Sequence, residues 1–136
     1  MKIIFLDIDG VLNCETTKER HCGCIGIEPA KVELFNKILE KTGAMVVLSS
    51  TWRLDAQSRA EVKKYVDYFD ITPEIEGKSR GKEIESWIEK HNVDKYAIID
   101  DDDDMIHNQK RYFFQTTFKE GLTANIANSV IKFLNH

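Results

Sequence analysis

Asp7-Ile8-Asp9-Gly10 places two carboxylates two residues apart, directly after an apolar run and before a glycine. On an extended segment that spacing points both acids to the same side until the chain turns at Gly10. Carboxylates this close repel unless a cation, or a proton shared with substrate, relieves them, and the repulsion pushes their proton affinities apart. One acid then suits nucleophilic work and the other acid-base work. A second acidic group, Asp100 to Asp104, follows another apolar run, and Asp101 within it can bring a metal ligand. The hydroxyl cluster Ser49-Ser50-Thr51 closes a third run, and basic side chains stand at Arg53, Arg80 and Lys82. Guanidinium groups bind phosphate bidentately, which makes Arg53 and Arg80 candidates for gripping a phosphorylated substrate.

Those residues need a scaffold that brings distant segments together. Lys2 to Asp7 is a continuous apolar run ending in acids, as in a strand covered on both faces of an α/β sheet. Glu28 to Lys41 carries Val32, Phe35, Ile38 and Leu39 on one helical face, opens with Pro29 and stops at Gly43. Ala44 to Leu48 is a second buried strand. A capping-box pattern at Ser58 and Glu61 predicts a helix carrying Val62, Tyr65, Val66 and Phe69, running into the break around Pro73 and Gly77. After Arg80-Gly81-Lys82 the positions Ile84, Trp87, Ile88 and His91 repeat at helical spacing to Asn92, and Tyr96 to Asp100 is a third strand. Arg111 to Thr117 reads as a short strand, and Thr123 caps a last helix with Ile126, Ala127, Val130, Ile131 and Leu134 on its face. The predicted order is β-α-β-α-α-β-β-α, with a further strand around Phe69 to Ile75 as an open alternative. Without repeats, linkers or a composition break, residues 1–136 read as one doubly wound, mostly parallel α/β domain. In such sheets ligands bind at the carboxyl ends of the strands, where Asp7, Ser49 and Asp100 fall.

Composition narrows the class. At 136 residues the chain buries a core without disulfide or metal staples, and no run approaches the roughly 18 apolar residues of a membrane span. A soluble protein with no membrane partner is expected. Cys14, Cys22 and Cys24 are odd in number and confined to one segment, which favours a reducing compartment, the cytoplasm. The net charge of −4 supplies no global field for nucleic acid, although a local basic patch remains open.

Asp7-Ile8-Asp9-Gly10-Val11-Leu12 resembles the first motif of haloacid-dehalogenase-superfamily phosphatases. Three more motifs follow in order: the strand-terminal hydroxyl Ser49, the basic Lys82 opening a helix, and the strand ending in Asp100 and Asp101. The runs Leu48-Ser49-Ser50-Thr51-Trp52-Arg53 and Arg80-Gly81-Lys82-Glu83-Ile84 are similar to a compact branch that includes phosphatase domains of RNA-repair proteins. The resemblance implies a Rossmann-like fold without a large cap, and leaves Cys14 to Ile27 as a short flap insertion, at about 13–27, without a general-family counterpart. It also implies Asp7 as nucleophile forming an aspartyl-phosphate and Asp9 as general acid and base. Asp7, the Asp9 carbonyl and Asp101 would hold the metal, with Asp100 bracing or taking the ligand position and Asp104 in an outer shell. Ser49 and the N–H following it, at Ser50, would hold a phosphate oxygen, and Lys82 would offset charge on Asp7 and the transferring group. A hard, all-oxygen donor set suits Mg²⁺.

Plainer readings accompany each of these. A lone D-x-D before glycine also occurs in turns and in metal-dependent glycosyltransferases. Five consecutive acids cannot all approach one divalent ion, so two of Asp100 to Asp104 are expected to be functional. His21 with Cys14, Cys22 and Cys24 lacks a standard zinc spacing, His107 suits a loop, and Trp52 and Trp87 suit packing. The missing cap leaves an open crevice, which by family analogy favours a nucleic-acid 3′-phosphate or nucleotide. A phosphoprotein substrate, or a phosphate-binding regulatory module without turnover, is the alternative. The oligomeric state is not set by the sequence.

Overall fold

The computed structural model describes residues 1–136. Strand β1 (Lys2–Leu6) is followed by a small hairpin, β2 (Arg20–His21) and β3 (Cys24–Ile25), and then helix α1 (Pro29–Thr42). Next come β4 (Met45–Leu48), α2 (Ala56–Lys63), β5 (Asp70–Ile71), α3 (Arg80–Glu89), β6 (Lys95–Asp100), β7 (Phe113–Gln115) and α4 (Ala124–Leu134). Five strands form a parallel sheet in the order β5-β4-β1-β6-β7. The chain moves outward from β1 through β4 to β5, then returns to the other side of β1 at β6. The strand order therefore reverses between β1 and β6, the place where a doubly wound sheet opens a crevice.

Strand periodicity divides the apolar side chains between two layers. Ile4 and Leu6 of β1, Val46 and Leu48 of β4, and Ala97 and Ile99 of β6 join a core cluster with Phe35 and Ile38 of α1, Val62 of α2 and Val130 of α4. The alternate residues Ile3, Phe5, Val47 and Ile98 pack instead with Ile84 and Trp87 of α3. Full burial of each Val, Leu, Ile or Phe side chain among them stabilises the fold by about 1.5–3 kcal/mol. No large cap is present, and no helix is long and apolar enough to cross a membrane.

Several boundaries differ from the sequence reading, among them the end of α3 at Glu89, short of Asn92. The second helix is capped by Asp55, whose Oδ1 accepts from the Ser58 N–H at 2.8 Å, so Ser58 and Glu61 form no capping box. It also ends at Lys63 and does not reach Phe69, because the Phe69 N–H donates to the Val46 carbonyl and starts pairing with β4. Phe69 is consequently 45% exposed, and the alternative strand in this region is β5. The strand expected over Arg111 to Thr117 is confined to Phe113–Gln115, preceded by a 3-10 turn over His107–Tyr112.

Candidate active site

Register dictates what stands at the sheet's carboxyl edge. Leu6 pairs with Leu48 on one side and Ile99 on the other. One step further, the Ser49 N–H donates to the Leu6 carbonyl and the Asp7 N–H to the Ile99 carbonyl. Ser49, Asp7 and Asp100 thus form one transverse row. They share the parity of Val47, Phe5 and Ile98, the residues facing α3, so all three face the layer from which α3 begins.

The first residue of α3 meets them there. Arg80 Nη1 lies 2.9 Å from Asp100 Oδ2 and 3.2 Å from Asp7 Oδ1. No acceptor in the chain takes its Nε or Nη2. The start of α3 is fixed by the Ser79 hydroxyl, which accepts from the Lys82 N–H, and by the loop after β6. Asp104 accepts from the Arg80 N–H through its carboxylate and from the Gly81 N–H through its carbonyl. Gly81 is required for this docking, because a Cβ there would lie 2.7 Å from the Ile106 nitrogen and from Gln109 Oε1.

Asp7, Asp100 and Asp101 bring carboxylate oxygens within 4.8 Å of one another. Asp7 and Asp100 are buried, and Asp101 is half-buried. Burial, and then repulsion from Asp100, raise the Asp7 carboxyl well above its ordinary range although Arg80 opposes the shift. The same two causes raise Asp101. Burial works against the Arg80 charge, but Asp7 and Asp100 together hold its proton more firmly than usual. Three close, hard oxygen donors whose repulsion Arg80 only partly relieves fit a divalent cation such as Mg²⁺. Gly10 makes the arrangement possible. It turns the chain with φ +79°, and a Cβ on it would stand 2.2 Å from Asp101 Oδ2.

Asp9 lies outside this cluster and is exposed. Its Oδ1 accepts from Asn13 Nδ2 at 2.9 Å and its Oδ2 from Trp52 Nε1 at 3.1 Å. Ser49 Oγ is fully buried without a hydrogen-bond partner, a state costing about 1–3 kcal/mol unless a ligand oxygen satisfies it. Thr72 Oγ1, just beyond β5, is a second such orphan.

Two expected site residues, Lys82 and Arg53, are engaged elsewhere. Lys82 extends its ammonium to Glu85 at 3.2 Å with a half-exposed side chain, because the third position of α3 projects away from the strand ends. Arg80, expected to grip substrate, stands at the acids with its Nε and Nη2 donors untaken. Arg53 is 3% exposed. Its Nε donates to the Thr72 carbonyl, its Nη1 to the Ser49 and Ser50 carbonyls, and its Nη2 to the Pro73 carbonyl and to Glu83 Oε1 at 3.0 Å. No N–H is left for a substrate. The Ser50 hydroxyl accepts from the Trp52 N–H as a cap, a contact that does not engage the Ser50 N–H expected to hold a phosphate oxygen. Of the five consecutive acids, Asp100 and Asp101 enter the cluster while Asp102, Asp103 and Asp104 are exposed. Asn13 and Trp52 were not among the expected site residues. Asn13 had no signal beyond its nearness to the first motif, and Trp52 had only its place beside Ser49.

A Rossmann-like sheet without a cap, with buried acids at its switch point and an arginine bridging two of them, defines the class. Residues 3–127 match the family described as the HAD domain in Swiss Army Knife RNA repair proteins. The chain belongs to that haloacid-dehalogenase-type family, whose membership points to phosphoester chemistry. No curated protein matches the chain.

Proposed function

We propose that residues 1–136 form one Mg²⁺-dependent phosphomonoester hydrolase domain that works through an aspartyl-phosphate on Asp7. The observation that carries this reading is the buried Asp7 carboxylate, set among Asp100, Asp101 and Arg80 with the exposed Asp9 two residues on. Asp7, Asp100 and Asp101 would hold the ion, which when bound offsets charge on the phosphoryl oxygens and on the acids themselves.

The side chains divide the remaining work. An Asp7 oxygen attacks phosphorus while the ester P–O bond breaks, and Asp9 delivers its proton to the departing oxygen. Asp9 then takes a proton from the water that attacks phosphorus, the Asp7 O–P bond breaks, and inorganic phosphate leaves. Arg80 turns its free N–H groups to the phosphoryl oxygens, and the orphan Ser49 hydroxyl donates to one of them. Lys82 has no part in these steps.

The substrate we favour is an exposed phosphoester such as a nucleic-acid 3′-phosphate end or a nucleotide. The absence of a large cap and the RNA-repair family support it. Phosphate release from a 3′-phosphorylated oligonucleotide, a 5′-phosphorylated one, a mononucleotide and a phosphopeptide, each with Mg²⁺ or chelator, tests it. The 3′-end or the nucleotide should lead, with no turnover in chelator. A flat profile, or a preference for the phosphopeptide, overturns the substrate assignment.

A further inference from the structure

Asp9 is exposed, and an exposed aspartate ordinarily samples several rotamers, yet both of its oxygens accept hydrogen bonds from side chains of two different segments. Each donor is itself braced. Asn13 Oδ1 accepts from the Gly10 N–H at 2.8 Å, and the same Asn13 Nδ2 that donates to Asp9 also donates to the Gly26 carbonyl at 2.9 Å. The amide is therefore fastened to the motif turn at one end and to the last part of the flap at the other. The Trp52 ring is stacked on His21 of β2, with centroids 5.0 Å apart and planes inclined by 25°. His21 Nε2 in turn lies 3.3 Å from Ser58 Oγ of α2. Cys22, at the hairpin turn, reaches Gln57 of α2 through its sulfur at 3.8 Å.

From these contacts we infer that Trp52 and Asn13 are positioning residues that fix the Asp9 carboxylate for proton transfer, and that the flap holds both of them through His21 and Gly26. The inference rests on the reading of Asp9 as general acid and base. It gives the flap a task other than recognising substrate. General-acid catalysis requires the donor within hydrogen-bond reach of the departing oxygen. A carboxyl free to rotate would lose that alignment without any change in nucleophile or metal ligands. The Trp52 indole N–H donates to Asp9, whereas the ring also packs the core.

Trp52→Phe removes the donor and keeps an aromatic ring against His21. The decisive measurement is kcat/KM over a series of phosphomonoesters from acidic phenols to simple alcohols, since only poor leaving groups need the proton during phosphoryl transfer to Asp7. Loss in Trp52→Phe should be under about threefold for the most acidic phenol and about tenfold or more for the alcohols. His21→Ala should show the same trend more weakly. The double variant Trp52→Phe with Asp9→Asn should lose little beyond Asp9→Asn alone, because the two act in one chain. A uniform loss across the series, or losses that multiply in the double variant, would overturn the inference.

A second readout is independent of turnover. The two indole N–H proton resonances belong to Trp52 and Trp87, and Trp87 donates to Asp70. Asp9→Ala should shift the Trp52 resonance and speed its exchange with solvent while leaving that of Trp87 in place. An unmoved Trp52 resonance overturns the contact. Absence of phosphate release from every ester by the unmodified protein counts against the hydrolase reading instead, and leaves the resonance test to decide the positioning.

Discussion

Arg53 and Arg80 stand at the same carboxyl edge of the sheet, and each meets buried acid, yet their surroundings assign them opposite work. Arg53 sits beneath the ends of β4 and β5, where four carbonyls and Glu83 take its donors. Glu83 Oε2 also accepts from the Ile75 N–H, so the pair ties the segment after β5 to α3. Arg80 sits one helix start away and uses a single nitrogen on Asp7 and Asp100. A guanidinium whose donors are all satisfied holds structure together, whereas one with free donors beside repelling carboxylates can still bind an anion. Residue type and sequence position relative to a motif do not separate the two; the count of unsatisfied donors does.

Substitution should separate them along two axes. Arg80→Ala should lower kcat/KM by about 10²-fold or more, corresponding to roughly 3 kcal/mol of lost transition-state stabilisation. Steady-state phosphate release measures it, and a loss below about threefold would dissolve the contrast. Arg53→Ala should cost about 3 kcal/mol of stability, since it strands the Glu83 carboxylate and several carbonyls in a buried setting. The midpoint of urea unfolding checks that value, and a midpoint equal to that of the unsubstituted protein would show the bonding around Arg53 to be dispensable.

The acid cluster beside Arg80 predicts a smaller, pH-dependent effect. Burial first, and then Asp100, raise the Asp7 and Asp101 carboxyls above their ordinary range. A raised folded-state value favours the fold below the unfolded value near 3.8, and that contribution is lost as pH rises through the raised folded values. Metal-free protein should therefore lose stability as pH rises from about 4 toward neutrality. Added Mg²⁺ should restore it, raising Tm by several degrees more at about pH 7.5 than at about pH 5. Equal Mg²⁺ shifts in thermal unfolding at both pH values would contradict the cluster as its site. The smallest effect belongs to Lys82→Ala, expected to leave kcat/KM within about twofold and Tm within about 2 °C, because its partner Glu85 is a surface ion pair. A large activity loss there would return the charge-offsetting role to Lys82.

What the sequence made legible follows from where local pattern governs structure. Strands β1, β4 and β6 are apolar runs that could only be covered on both faces, so their ends, and with them Asp7, Ser49 and Asp100, were placed correctly at the crevice. The helix faces of α1, α3 and α4 were legible from the helical spacing of their apolar residues. Strand β5 was open because two residues carry no period, and its existence depends on pairing with β4. The choice between Arg80 and Lys82 turns on which residue of the first helical turn projects over the strand ends. That is fixed by the Ser79 cap and the Asp104 contacts from a loop more than twenty residues away. The Trp52 contact with Asp9 crosses 43 positions, and nothing in either local pattern announces it. Gly10 was legible as a turn, but its second role, leaving room for Asp101, belongs to tertiary approach alone.

Turnover through Asp7 requires that its carboxylate become phosphorylated. Protein mixed with an excess of phosphoester and Mg²⁺, quenched in acid within the first turnover and digested, should yield a peptide carrying one phosphate on Asp7 by mass spectrometry. The adduct should vanish in Asp7→Asn and, with the ester of an acidic phenol that departs without a proton, accumulate in Asp9→Asn, where the water is no longer deprotonated. Phosphate release without an adduct at Asp7, or undiminished turnover in Asp7→Asn, would rule out Asp7 as the nucleophile.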